Sequence, residues 1–275
     1  MVIHFNTMVK DEEDLLQVVL PFWVKYPVDK FVFFNDNSTD NTVQIIKKYV
    51  TADRLHIINS DRSTFSESHN RSAMLEYSRN EKADYVLTID CDELLSANFQ
   101  ESFHDILENY ETTNFLLYWY NVVEGSVNNL RQDPSYTNNY RSFILPMKHT
   151  GYFDLSQWKY HTPRTPAVRL PVAVTHDIGV IHLQAINTEF YALKQLWYKH
   201  YEFINYNHSV EFINDRYDPV INNLQFNTVA TPEDIVAGIE INPSIFNTIL
   251  EKKNYRKYIL DNYNKQLVTF GNEYL

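Results

Sequence analysis

The sequence predicts an α/β fold: a mostly parallel central sheet flanked by helices, followed by a helical C-terminal extension. Three observations predict it. Short apolar runs alternate with stretches of helical period as far as Ser96, two of those runs end in polar, acid-bearing turns, and from Thr188 onward the spacing is mainly helical.

The elements follow in order. Val2 to Val9, with Val2, Ile3, Phe5, Met8 and Val9, reads as a buried strand. Asp11 to Tyr26 opens with acids, which favour a helix N-terminus, and places Leu15, Leu16, Val19 and Phe22 on one face. Phe31 to Phe34 is a short strand that ends in the turn Asn35-Asp36-Asn37-Ser38-Thr39-Asp40. Thr42 to Val50 reads as a helix, Arg54 to Ile58 as a strand, Ser66 to Asn80 as a helix, and Asp84 to Ile89 as a strand stopping at Asp90. Ligands of such sheets bind at the carboxyl ends of the strands. Beyond Ser96 the runs Phe115–Val123, Tyr140–Leu145, Ala167–Thr175 and Gly179–Leu183 are strand-like, joined by polar, Pro-containing connections. Thr188–Tyr206 and Pro243–Lys265 read as helices, separated by the Asn-rich stretch from Asn205 to Asn227. No repeat and no interdomain linker stands out. The expected organisation is a catalytic core over residues 1–187, whose halves are 1–95 and 96–187, with a helical extension over 188–275 packed on it.

Composition narrows the function. The chain has 275 residues, 44% of them hydrophobic, enough for one sizeable core. Only 5 glycines are present, and neither a GxGxxG nor a GxxxxGK[ST] loop occurs, so a bound nucleotide must be held by side chains and a metal ion. The single cysteine, Cys91, excludes an intramolecular disulfide and a multi-cysteine zinc site. A reducing, cytoplasmic compartment is therefore expected, with no leader segment over Met1–Asp14 and no membrane span, since the best apolar run, Val18–Val24, is interrupted by Pro21. A net charge of −11 argues against general nucleic-acid binding. The stretch from Arg131 to Arg169 reverses that sign, with six cations (Arg131, Arg141, Lys148, Lys159, Arg164, Arg169) against Asp133 and Asp154.

The sharpest motif is Asp90-Cys91-Asp92-Glu93-Leu94, reached directly from an apolar strand. Carboxylates just past a strand end can hold a divalent cation through oxygen, and such a cation can bridge the phosphates of a nucleoside diphosphate. The plainer reading is a solvated acidic turn. The second motif is the turn after Phe34, in which Asp36 is placed to accept hydrogen bonds from a base or ribose, while Thr39 or Asp40 caps the next helix.

Taken with Val9-Lys10-Asp11-Glu12, these motifs resemble, in order and spacing, the family-2-like glycosyltransferases of the GT-A fold, in the branch with Asp-x-Asp-Glu. The likeness is good over roughly the first 100 residues and looser beyond. It implies a GT-A, Rossmann-like fold and a nucleoside diphosphate sugar donor, UDP-linked by expectation. Lys10, Asp36 and Asp90 would bind the nucleotide. From the basic stretch, Lys159, Arg164 and Arg169 are the first choices to neutralise its diphosphate. Asp90, Asp92 and a late histidine, His182 with His176 as runner-up, would ligate Mn²⁺ or Mg²⁺. Asp92, Glu93 and Asp154 are the catalytic candidates. Gly151-Tyr152-Phe153-Asp154 resembles the segment that precedes an acidic pair in inverting members, yet no acid follows it here. Asp154, Asp177 or Glu93 could take the acceptor's proton, or the reaction could be retaining.

Basic residues interleaved with Tyr136, Tyr140, Phe143, Tyr152, Phe153, Trp158 and Tyr160 suit an acceptor bearing sugars or phosphates. A surface glycan is the expected acceptor. Bacteriophage-type DNA with a hydroxymethylated base is the alternative. Other classes are an inactive nucleotide-sugar-binding module and a nucleotidyltransferase, the latter disfavoured by the glycine-free turn Asn6–Asp11. The oligomeric state is not encoded in any feature of the chain.

Overall fold

A computed structural model of the chain describes residues 1–109, 113–132, 139–150, 162–166, 169–262 and 267. In chain order the elements are β1 (Ile3–Val9), α1 (Glu13–Trp23), β2 (Lys30–Asn35), α2 (Thr42–Tyr49), β3 (Leu55–Asn59), α3 (Glu67–Asn80), β4 (Tyr85–Thr88), β5 (Glu93–Leu95) and α4 (Ala97–Asn109). There follow β6 (Asn114–Val123), β7 (Ser126–Arg131), β8 (Tyr140–Ser142), β9 (Ile144–Pro146), β10 (Val172–His182), α5 (Thr188–Tyr206), α6 (Val210–Ile221), β11 (Thr228–Ala230), α7 (Glu233–Val236), α8 (Ile245–Lys253) and α9 (Tyr255–Asp261).

The chain forms two compact units. The first comprises Met1–Tyr120, Asn138–His182 and Pro232–Ile239; the second comprises Asn121–Thr137, Leu183–Thr231 and Glu240–Leu275. The first unit carries the α/β sheet in the order β3-β2-β1-β4-β9, with β1 parallel to both β2 and β4, β2 parallel to β3, and β9 antiparallel to β4. Phe31, Val32, Phe33, Val86 and Leu87 are completely buried, which is why β2 and β4 read as continuous apolar runs rather than alternating ones, while β1 buries the polar His4, Asn6 and Thr7 along with Ile3 and Phe5. On one face α1 packs Leu16, Val19, Leu20 and Trp23 inward, all fully buried, and Trp23 stands 4.8 Å from Phe5, ring centroid to centroid.

The same unit pairs β5 antiparallel to β10, and β10 lies beside β6. Gly179 is required at that approach, because a Cβ there would stand 2.1 Å from the carbonyl oxygen of Tyr118. The second unit pairs β7 with β11 and gathers the helices α5, α6, α8 and α9, with contacts of α5 to each of the other three. Among the described residues no helix is long and apolar enough to cross a membrane.

Several elements differ from the sequence reading. Tyr140–Leu145 is not one strand: β8 pairs with β6 while β9 pairs with β4, and the buried Phe143 between them accepts the Thr88 N–H at 2.8 Å. Ala167–Thr175 and Gly179–Leu183 are not two strands; Val172 to His182 is continuous, and residues 167–168 lie outside the described ones. The Asn-rich stretch hides α6, which Ser209 caps by accepting the Phe212 N–H at 3.1 Å and which buries Ile213, Tyr217 and Ile221. Pro243–Lys265 is interrupted at Asn254, whose φ of 57° is a left-handed conformation that asparagine tolerates.

Candidate active site

Parallel pairing sets Val9 opposite Asn35, and Asn6 opposite Thr88, so the chain leaves β1, β2 and β4 at one edge of the sheet. Lys10 and Asp36 follow β1 and β2 directly, and Asp90 follows β4 after Ile89. Asp36 is buried, its N–H donating to the Val9 carbonyl at 2.9 Å. Lys10 Nζ donates to the Asp36 carbonyl at 2.9 Å and stands 3.6 Å from its carboxylate Oδ2. That oxygen is buried and has no hydrogen-bond partner among the described residues.

The surrounding turn uses up its own polar groups. Asn35 Oδ1 accepts the Ser38 N–H at 3.1 Å, Asp11 Oδ1 accepts the Thr39 N–H at 2.6 Å, and Thr42 Oγ1 accepts the Glu12 N–H at 2.7 Å. Asp40 Oδ2 accepts the Glu13 N–H at 3.1 Å. These side chains thus build the loop, while Asp36 Oδ2 makes none of its hydrogen bonds.

The Asp-Cys-Asp-Glu turn is closed by its own last residue. Glu93 Oε2 accepts the Asp90 N–H at 2.9 Å, and the Glu93 N–H donates to the Asp90 carbonyl at 3.0 Å. Cys91 turns inward and donates to the Met8 carbonyl at 3.2 Å. Glu93 begins β5, and the β5–β10 register sets His182 directly opposite it. Strand pairing across almost ninety residues of sequence therefore delivers His182 Nε2 to 3.6 Å from Asp92 Oδ2, with both residues 7% exposed.

Two arginines occupy the other side of the turn. Arg71, from α3, donates to Asp90 Oδ1 at 3.2 Å and to Glu67 Oε1 at 2.8 Å. Arg164 donates to Asp90 Oδ2 at 2.6 Å and to Glu93 Oε1 at 2.5 Å. Glu67 Oε2 accepts the Thr162 N–H at 3.0 Å, which fastens the segment that carries Arg164. Trp119, on β6, donates its indole N–H to Glu93 Oε1 at 2.8 Å and stacks on His182 with centroids 4.3 Å apart and planes 26° apart. Arg164 also lies over the Trp119 ring, 5.2 Å from its centroid.

The electrostatics follow from this layout. Burial opposes ionisation of Asp90, but Arg164 and Arg71 outweigh it and hold its carboxyl below the usual range. At Glu93 burial wins: the carboxyl is pushed up to about 8, with Arg164 opposing and Asp90 and Asp92 adding to the rise. With all acids ionised, four carboxylates (Glu67, Asp90, Asp92, Glu93) face two guanidinium groups, a surplus that one divalent cation would cancel.

The fit to such an ion is uneven across the three residues first offered as ligands. Among the described residues no three of His, Cys, Asp and Glu are grouped closely enough to hold a metal alone. Asp92 and His182 supply an oxygen and a nitrogen at one place, a donor pair that suits a cation completed by substrate phosphates and water. Both oxygens of Asp90 are held by arginines. Arg169 is exposed, and Asp177 is exposed with its carbonyl accepting from Asn98. Asp154 and Lys159 lie outside the described residues, as does the side chain of His176. Sequence reasoning missed Glu67, Arg71 and Trp119. The first two stand at i,i+4 on a helix face and are both buried, a pattern that marks a charged pair turned inward.

The sequence profile of glycosyl transferase family 2 matches residues 9–165, more than half of the chain and the span that holds Lys10, Asp36, Glu67, Arg71, the Asp-Cys-Asp-Glu turn, Trp119 and Arg164. The chain belongs to glycosyl transferase family 2. No curated protein matches it in sequence. Among solved structures it is similar to S. aureus TarS, with a TM-score of 0.51 and 12% identity over 97% of this chain and 50% of that one, so the chain spans half of the TarS length. It is also similar to S. aureus TarS 1–349 in complex with UDP-GlcNAc, with a TM-score of 0.49 and 14% identity over 97% of this chain and 90% of that one. GalNAc-T7 with UDP, GalNAc and Mn²⁺ follows, with a TM-score of 0.47 and 9% identity over 79% of this chain and 54% of that one. The family-2 chain thus has the GT-A fold expected of it, and by family it is a glycosyltransferase.

Proposed function

We propose that this family-2 chain transfers a sugar from a nucleoside diphosphate sugar, UDP-linked, to a hydroxyl of a surface glycan, with Mn²⁺ or Mg²⁺ as cofactor. The observation that carries the reading is the buried Asp92–His182 pair inside a carboxylate surplus, at the edge of the sheet where one Asp36 oxygen lacks a hydrogen-bond partner. Asp36 and Lys10 would receive the nucleoside, the carboxylate accepting from a base or ribose. Asp92 and His182 would hold the cation. When bound, the cation supplies Lewis-acid stabilisation of the charge that grows on the leaving diphosphate.

This chain's own residues do the rest. Arg71 and Arg164 keep Asp90 ionised, and Asp90 in turn holds Arg164 beside the acidic turn, where the guanidinium is placed to meet phosphate oxygens. Arg169 is a second candidate for the diphosphate, from an exposed position. Glu93 serves by position, since its oxygens already accept from Asp90, Trp119 and Arg164. Asp154 then remains the proposed acceptor of the hydroxyl proton. In functional terms residues 1–95 form the donor half and residues 96–187 the acceptor half, which supplies Trp119, Arg164 and His182. The buried thiol of Cys91 suits a cytoplasmic enzyme.

The test is thermal stability with UDP, with and without Mn²⁺, on the wild type and on Asp92→Asn. A ligand of the native state raises the melting temperature by mass action, by about 2.7 kcal/mol at a concentration 100 times its Kd. UDP should stabilise the wild type only with Mn²⁺ present, and the substitution should remove that response. Equal stabilisation with and without metal would refute the metal-held donor.

A further inference from the structure

We propose that Trp119 is a positioning residue of the metal-held donor site, setting the orientation of His182 and tying it to the acidic turn. The inference rests on the reading of Asp92 and His182 as the ion-holding pair.

Three segments that are distant in sequence meet on this one indole. Its face lies on the His182 imidazole, 4.3 Å between centroids and 26° between planes. Its N–H donates to Glu93 Oε1 at 2.8 Å, and Glu93 Oε2 in turn accepts the Asp90 N–H at 2.9 Å. The Arg164 guanidinium lies over the ring at 5.2 Å while it pairs with Asp90 and Glu93. An imidazole next to Asp92 has a broad terminal torsion, and the direction of Nε2 is set by whatever packs on the ring. Here that is Trp119. A ring of this breadth with a donor N–H at its edge can stack on one group and bond another.

Core packing would be the ordinary role for a strand tryptophan. Trp23 shows that role in this chain: it is completely buried and its N–H meets a main-chain carbonyl, that of Glu93, at 3.0 Å. Trp119 is only half-buried, and its N–H meets a carboxylate of the site.

The experiment measures Mn²⁺ binding by the full chain in saturating UDP, read from the electron paramagnetic resonance of free Mn²⁺. Melting temperature is recorded alongside. Trp119→Phe keeps a ring for His182 and loses the N–H; Trp119→Leu loses both; His182→Ala reports on the underlying pair. Disturbing groups that orient metal ligands weakens metal affinity by about 10–100-fold. The expected result is a loss of about 10-fold for Trp119→Phe and towards 100-fold for Trp119→Leu, each greater than any change in UDP binding without metal. Wild-type Mn²⁺ affinity in both folded Trp119 variants, with His182→Ala weakened, would overturn the role of Trp119 alone. Absence of UDP-dependent Mn²⁺ binding in the wild type, or wild-type binding by His182→Ala, would overturn the ion-holding pair and this proposal with it. Should Trp119→Leu fail to fold, Trp119→Phe decides.

Discussion

Two clusters of charge can be compared in this molecule, one in each unit. At the sheet edge of the first unit, Glu67, Asp90, Asp92 and Glu93 face Arg71 and Arg164. Between α5 and α6 of the second unit, Lys199 pairs with Asp218, and Glu202 accepts from the Tyr217 hydroxyl at 2.6 Å with Arg216 3.9 Å away. The helical cluster balances, two cations against two acids. The sheet-edge cluster does not, and there burial pushes Glu93 upward, with Arg164 opposing and Asp90 and Asp92 adding to the rise. Balanced groups hold helices together and ask for nothing further. An unbalanced set at strand ends is what the proposed cation would complete, and that is the contrast between a structural network and a site.

The largest expected effect is at the unbalanced cluster. Arg164→Ala would leave Asp90 and Glu93 short of a shared partner in a buried place, at a cost of about 3–5 kcal/mol by chemical denaturation. A cost under about 1 kcal/mol would mean that the surplus is relieved in another way and would undo the comparison.

Next comes a pH effect in the balanced cluster. His200 is completely buried on α5. Burial, with Lys199 beside it, pushes the imidazole down to about 4; the backbone of Asn262 opposes this, although neither ring nitrogen reaches hydrogen-bond geometry. The unfolded chain therefore binds the proton more tightly, at the ordinary value near 6.5. Stability from the neutral ring is fully present above pH 6.5, is lost as pH falls through 6.5 towards 4, and changes no further below that. The whole window amounts to about 3 kcal/mol. His200→Leu should flatten urea-derived stability between pH 6.5 and 4, and an unchanged slope there would show that other groups set it.

The smallest effect sharpens the contrast. Replacing a buried ion pair by apolar residues of like size is often neutral, whereas removing one partner is not. The double substitution Lys199→Met with Asp218→Leu should change stability by less than about 1 kcal/mol, while Lys199→Met alone should cost more. A large cost for the double variant would mean that this pair does more than join α5 to α6.

Much of the first unit was legible in the sequence because its information is local. Buried strands announce themselves as apolar runs, and the acids at their ends fall where parallel pairing puts a ligand edge. The helix Thr188–Tyr206 was legible to its ends, since Asn187 caps it by accepting the Phe190 N–H at 2.8 Å. The rest of the second half was harder. In α6 the helical spacing of Ile213, Tyr217 and Ile221 is obscured by asparagines and by Pro219 in its last turn. The break at Asn254 depends on a single left-handed residue inside an otherwise continuous helical pattern.

The sequence by itself determined the alternating α/β frame, the turn that presents Asp36, and the Asp-Cys-Asp-Glu turn at the end of β4. Each depends on neighbours a few residues away. Only the tertiary structure decided how each of these carboxylates is partnered. Arg71 and Arg164 reach Asp90 from 19 and 74 residues away, while the β5–β10 register brings His182 to Asp92. A carboxylate's role follows from the charges packed around it, and those are set by strand pairing and helix placement, which no local window of sequence contains.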